Sequence, residues 1–302
     1  MTGPSTTPAD PAEPSIGRVA ANGIEIAYVD VGEGDPVVLF HGFPDGATTF
    51  RPLAPLLCAQ GFRCIAPWLR GYWPTGTGRY FDQGTLLADA IGLIEALELD
   101  EVRVVGHDWG ADIAYGLAST TPVSVRSAVA LSVPHTRALR KNRSGDFEQL
   151  RRSFYIWLFL AGNLADSIVP AAGFELIRGL WREWSPGFQA DEAHLQEIVD
   201  ALARPGGLSS ALGYYRALFD EGLQDPRFAE LLRLVETGPV TAPTLLLMGA
   251  QDGCIGPEMA AGAEVAFTGP YRGETLDGCG HFLHLENPED VGARIVDWFA
   301  RY

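Results

Sequence analysis

The sequence predicts an α/β protein: a mostly parallel, twisted sheet flanked by helices, with a helical cap inserted after residue 135. Three observations carry that prediction. A tight hairpin opens the ordered chain, short apolar runs then alternate with helical patterns, and one long aromatic-rich stretch interrupts the alternation before it resumes.

Taken in order, residues 1–15 are rich in Pro, Thr and Ser and nearly free of large apolar groups. They cannot bury enough surface to offset their ordering entropy, so a disordered tail is expected there. In IGRVAANGIEIAYVDVG, Asn22-Gly23 lies between two alternating runs, the pattern of a hairpin whose turn needs positive φ. From Pro36 the strands change character. PVVLF, FRCIAP, VRVVG, SAVALSV and PTLLLM are nearly continuous apolar runs, as expected where both faces of a parallel sheet are covered. Between Leu86 and Leu97, apolar positions 87, 90, 91, 94 and 97 recur at helical spacing, giving one buried stripe in the crossover before VRVVG. After Pro134-His135, about a hundred residues dense in Leu, Phe, Trp and Tyr pass before PTLLLM, too long a stretch to lack structure of its own. Residues 136–239 are therefore read as a helical cap, and 16–135 with 240–302 as the core domain.

Composition narrows the function classes. With 302 residues, 47% hydrophobic and 20% charged, the chain can bury a large core. Its net charge of -16 repels phosphate backbones and anionic lipid heads, so nucleic acid and membrane surfaces are not expected partners. Four cysteines without CxxC spacing, and a start lacking the regions of a signal peptide, point to the reducing cytoplasm. No apolar run reaches the roughly eighteen residues of a membrane span. The six histidines are scattered, so neither a metal nor a cofactor is expected, and a homodimer is left open.

The chemistry is concentrated in Gly106-His107-Asp108-Trp109-Gly110, where the strand VRVVG runs into the helix ADIAYGLAST. A reactive-type residue between two glycines at a strand-to-helix turn is the pattern of a nucleophile elbow: the turn is so sharp that a Cβ on either side would collide with neighbouring backbone. A carboxylate at the helix N-terminus is favoured by the dipole and stays ionised. The bland alternative is that Asp108 only caps the following helix. Three further pieces fall where such a site needs them. His41-Gly42-Phe43-Pro44 follows PVVLF, so the backbone N–H of Phe43 can join that of Trp109 in an oxyanion hole, unless the segment is an ordinary turn. Asp252 in MGAQDGC follows PTLLLM and would orient a histidine, though a turn Asp is common. His281 in CGHFLHLENP can activate water, with His284 as its rival. The order 108, 252, 281 is the chain order expected of a catalytic triad on this kind of sheet.

With H-G-F-P, G-H-D-W-G and C-G-H in place, the sequence resembles the epoxide hydrolase branch of the α/β-hydrolase superfamily, from the hairpin to the C-terminus. The resemblance implies the α/β-hydrolase fold and an aspartyl-ester route from an epoxide and water to a vicinal diol. It also implies two cap tyrosines that hydrogen-bond the epoxide oxygen. Tyr155 in Phe154-Tyr155-Ile156-Trp157 matches one, and Tyr214-Tyr215-Arg216 the other, with Tyr215 preferred over Tyr214. His41, Trp109 and Trp73 are expected to line the substrate pocket. Trp73 is a departure, a bulky indole in Gly71-Tyr72-Trp73-Pro74 where many relatives carry a small residue.

Four rivals remain. A haloalkane dehalogenase shares the Asp nucleophile and Trp109, but its usual second halide donor would stand where Phe43 has no side-chain N–H; a fluoroacetate dehalogenase would carry Arg in place of Trp109. An epoxide-opening cyclase could use the same groups, and a binding protein could keep the fold alone.

Overall fold

The computed structural model describes residues 14–119 and 123–302. Most of the segment expected to be a disordered tail lies outside these residues; its last residue, Ser15, already belongs to the first strand. Eight strands form one sheet: β1 (Ser15–Ala21), β2 (Ile24–Val31), β3 (Asp35–Phe40), β4 (Phe62–Pro67), β5 (Glu101–His107), β6 (Ser124–Leu131), β7 (Thr244–Gly249) and β8 (Tyr271–Leu276). Their order is β1-β2-β4-β3-β5-β6-β7-β8. The β1–β2 and β2–β4 pairs are antiparallel and the rest parallel. Asn22 and Gly23 make the first turn with φ of 43° and 77°, as the hairpin sequence requires.

Both faces of the parallel strands are covered, which explains their continuous apolar runs. In β3, Val38 and Phe40 enter one core with Val104, Leu246 and the helices Gln83–Ala96 and Trp109–Leu117, whereas Val37 and Leu39 enter another with Leu53, Leu57, Ile295 and Phe299. The strand β8 carries no such run. It is a half-exposed edge strand, YRGETL, and for that reason its sequence does not announce it. Because β4 lies on one side of β3 and β5 on the other, the winding reverses at the β3–β5 pair, where a crevice opens at the strands' carboxyl ends.

Between β6 and β7 the chain is helical, including Thr136–Arg143, Phe147–Arg152, Phe154–Phe159, Ala171–Trp184, Glu192–Ala203, Gly207–Ala217 and Ala229–Thr237. The last of these flanks the sheet instead of the crevice: a Cβ placed at Gly84, in the helix Gln83–Ala96, would fall 2.6 Å from the carbonyl oxygen of Phe228 and 2.8 Å from the nitrogen of Leu232. The stretch 136–239 thus ends in a helix packed on the core layer. No helix among the described residues is long and apolar enough to cross a membrane.

Candidate active site

Asp108 occupies the turn between β5 and the helix Trp109–Leu117 with φ 52° and ψ -117°, a conformation that costs about 1–3 kcal/mol for a non-glycine residue. The flanking glycines allow it. A Cβ at Gly106 would lie 1.9 Å from the carbonyl oxygen of Gly110, and one at Gly110 would lie 2.0 Å from that of Phe40. The side chain of Asp108 makes no capping hydrogen bond to its helix. Its Oδ1 instead accepts from the backbone N–H of Phe43, just beyond β3, at 2.8 Å. Trp109, expected to offer a second backbone donor, opens the helix, and its indole Nε1 is buried without a partner.

The carboxyl ends of β7 and β8 supply the rest of the cluster. Asp252 accepts from the N–H groups of Cys254 at 2.7 Å and Ile255 at 2.9 Å through Oδ1, and its Oδ2 lies 2.9 Å from His281 Nδ1. His281 Nε2 lies 3.6 Å from Asp108 Oδ2 and has no hydrogen bond of its own. The two loops share one anchor, since the Trp184 carbonyl at the end of a β6–β7 helix accepts from both Gly253 N and His281 N, each at 3.0 Å. Burial alone would lower the pKa of His281, but the carboxylates of Asp252 and Asp108 outweigh it and push the imidazole up to about 10. Burial would raise Asp108; the neighbouring His281 and His107 and the Phe43 N–H hold it below its ordinary value. An imidazolium between two carboxylates is the resting arrangement. The rival His284 faces elsewhere, with Nε2 2.7 Å from Thr49 Oγ1.

A cavity of about 160 Å³ opens in front of Asp108. Trp109, Tyr155 and Tyr215 line it. The rings of Tyr155 and Tyr215 stand edge to face, with centroids 5.7 Å apart, and Tyr215 packs the same way on Trp109 and Phe43. The hydroxyl of Tyr155 lies 3.4 Å from Cys254 Sγ; that of Tyr215 is buried without a partner. Burial and the Asp108 charge both raise the two phenols well above their ordinary value, so they are protonated donors. Tyr214 differs from its neighbour: its hydroxyl donates to the Arg70 carbonyl at 2.8 Å.

Two residues expected in the pocket are not there. His41 is fully buried, with Nδ1 2.9 Å from the Gly42 carbonyl and Nε2 accepting from Leu69 N at 3.0 Å, so it ties two loops together. Trp73 is 52% exposed and lies in an outer groove under the guanidinium of Arg204, 4.2 Å from the ring centroid. The buried member of that dipeptide is Tyr72, edge-on to His41. Conversely, sequence reasoning passed over Gln83, Asp112 and Thr136, which line the cavity. The available signal was an Asp at the fourth position after Asp108 in an otherwise apolar helix.

Asp252, Cys254 and His281 offer donor atoms within 4.8 Å of one another, a spacing compatible with a metal ion. Their chemistry fits poorly. Asp252 Oδ2 and His281 Nδ1 are bonded to each other, the imidazole is held protonated, and burial keeps the Cys254 thiol far above its ordinary pKa.

The model of the alpha/beta hydrolase fold family matches residues 35–288, and the chain belongs to that family. Within it, the chain is 29% identical to epoxide hydrolase A of Mycobacterium tuberculosis, over 95% of this chain and 98% of that one. It is 28% identical to an epoxide hydrolase of Caballeronia sordidicola, covering 92% and 91% of the two chains. The solved structure of epoxide hydrolase A from Mycobacterium thermoresistibile superposes with a TM-score of 0.77 at 27% identity, covering 95% of this chain and 98% of that one.

Proposed function

We propose that this protein is an epoxide hydrolase that forms a covalent ester on Asp108, with the helices between β6 and β7 serving as the cap over its cavity. The observation that carries the reading is the meeting of an ionised carboxylate with two protonated phenols across one small cavity, which suits opening a strained ether and little else. Asp108 Oδ1 is engaged by Phe43, so Oδ2 is the attacking atom. It bonds to an epoxide carbon, the ring C–O bond breaks, and the ring oxygen takes a proton from Tyr215 or Tyr155, leaving a phenolate.

Esterification also removes the Asp108 charge that helps to hold a proton on His281. The imidazolium gives that proton up as the phenolate is reprotonated, and neutral His281 becomes a base. It takes a proton from water, the hydroxide attacks Cγ of Asp108, and the Phe43 N–H stabilises the oxyanion on Oδ1. Collapse releases the diol and restores the carboxylate beside an imidazolium. Asp252 keeps the ring oriented throughout. The enzyme is expected to act on a small-molecule epoxide and water.

The test is a single turnover in oxygen-18 water with a panel of epoxides, weighing the product and the peptide that contains Asp108. Unlabelled diol with label in the peptide supports the ester route; labelled diol with an unlabelled peptide overturns it. A dehalogenase reading has one observation in its favour, the unpartnered indole N–H of Trp109, and is checked by halide release from haloalkanes.

A further inference from the structure

The cavity in front of Asp108 has a polar far end that the ester mechanism does not use. Asp112 lies one helical turn beyond Asp108, a rise of about 6 Å along the same face. Its Oδ2 accepts from Gln83 Nε2 at 2.6 Å and its Oδ1 from Thr136 Oγ1 at 3.3 Å. All three residues line the cavity. Gln83 is 95% buried, at 5% exposure, and its Oε1 has no hydrogen-bond partner. An aliphatic residue at position 112 would be cheaper in a helix that otherwise presents Ile113, Ala114 and Tyr115 to the core, and would not set a second carboxyl beside the reacting one. Burial, reinforced by the Asp108 charge, pushes Asp112 up to about 7. With Asp112 ionised, its two acceptor oxygens, each with a lone pair to spare, and the idle acceptor on Gln83 form a site short of a donor.

We infer that this Gln83–Asp112–Thr136 set is a specificity subsite for a hydroxyl group carried by the epoxide substrate, several carbons from the ring. The inference rests on the epoxide hydrolase reading above and names the substrate class within it. A neutral donor fits better than an ammonium, because Arg140 and Arg143 line the same cavity and Arg143 has no carboxylate within 4.0 Å among the described residues. The subsite binds the hydroxyl in the ground state and in the ring-opening step alike, so it sets which epoxide is chosen and in which orientation Asp108 meets it.

The experiment compares kcat/KM at pH 7 for terminal epoxides of matched length ending in a hydroxyl, a methyl, a carboxylate or an ammonium, with the chain varied from two to five carbons. In the wild type the hydroxyl series should exceed the methyl series by tenfold or more at its best length. In Asp112→Leu that ratio should fall to near one, in Gln83→Leu partway, and in Asp112→Asn, which replaces one acceptor oxygen by an N–H₂ donor able to pair with the idle Gln83 oxygen, it should also fall. A ratio taken within one variant cancels any general loss of folded enzyme. A wild-type ratio near one, a preference for the carboxylate or the ammonium, or a ratio that persists in Asp112→Leu would overturn the subsite while diol formation leaves the enzyme reading standing. If the wild type makes no diol from any member, the epoxide reading fails and the subsite falls with it.

Discussion

On the sheet side of the cavity, the groups that orient the carboxylates are held by short bonds to the protein itself, while His281 Nε2 and the Trp109 indole N–H are left open. Asp108 Oδ1 is taken by Phe43, both oxygens of Asp252 are taken, and His281 Nδ1 is taken. On the helical side, the Tyr215 hydroxyl is buried beside the Trp109 indole without a hydrogen bond of good geometry, and the Tyr155 hydroxyl has only a thiol. A buried polar group without a partner costs about 1–3 kcal/mol, so the second arrangement persists only where a ligand completes it. The comparison separates a charge-setting half whose orienting bonds are made before substrate arrives from a donor half whose hydroxyls still lack a strong partner.

Breaking the first half should have the largest effect. Asp108→Ala should lower kcat for diol formation by about 10⁴-fold or more, since the nucleophile is gone. His281→Gln should instead stop the cycle after ring opening, so the intact mass of the protein should rise by the mass of one substrate and stay there. A His281→Gln enzyme that turns over normally would remove His281 from the reaction.

The donor half is tested by neighbours that differ in one bond. Tyr215→Phe should reduce kcat by about 10²–10³-fold, because the alkoxide then leaves without one of its donors. Tyr214→Phe should leave kcat within about threefold and lower stability by about 1 kcal/mol through the lost bond to Arg70. Equal kinetic losses in the two variants would mean that Tyr214 also reaches the substrate.

The two halves were not equally legible in the sequence. The elbow, Asp252 and His281 were readable because their places are set by strand ends and by glycines that no other residue could replace, so local pattern and chain order were enough. Position 214 against 215 could not be decided by pattern, since which of two adjacent helical tyrosines faces the cavity depends on how its helix is rotated against Arg70 and Phe43. His41 and Trp73 were misplaced for the same reason: local pattern does not tell whether a ring beside a catalytic motif points inward to a backbone amide, as His41 does to Leu69, or outward to a guanidinium, as Trp73 does to Arg204. The strand β8 was missed because an edge strand does not need an apolar run.

Two buried groups along the cavity, Asp112 and His281, titrate in different windows. Asp112, pushed up to about 7 from 3.8, keeps a proton in the folded state that the unfolded chain releases, so its contribution to stability falls as pH rises from about 4 to 7. His281, pushed up to about 10 from 6.5, contributes stability that is complete below about pH 6.5 and is lost as pH rises towards 10. Asp112→Asn should therefore be more stable than the wild type at pH 8, by about 1–3 kcal/mol, and the advantage should vanish near pH 4, as read by urea unfolding at the two values. An advantage that is the same at both would assign the effect to packing.

The smallest expected effect belongs to Trp73→Ala. Its indole lies in an outer groove of about 340 Å³ shared with Asp45, Glu197 and Arg204, while the cavity in front of Asp108 is walled by other residues. Tyr72, which shares that groove, is buried, packs edge-on against His41 and feels the Asp108 charge. Removing the indole takes away an exposed cation–π contact with Arg204 worth about 0.5–1 kcal/mol and nothing from the reacting groups. The expected result is kcat/KM within twofold of the wild type for short and long epoxides alike. A gain confined to long substrates would show that the outer groove opens into the reaction cavity when a long chain is bound, and the boundary between the two would then have to run through Tyr72.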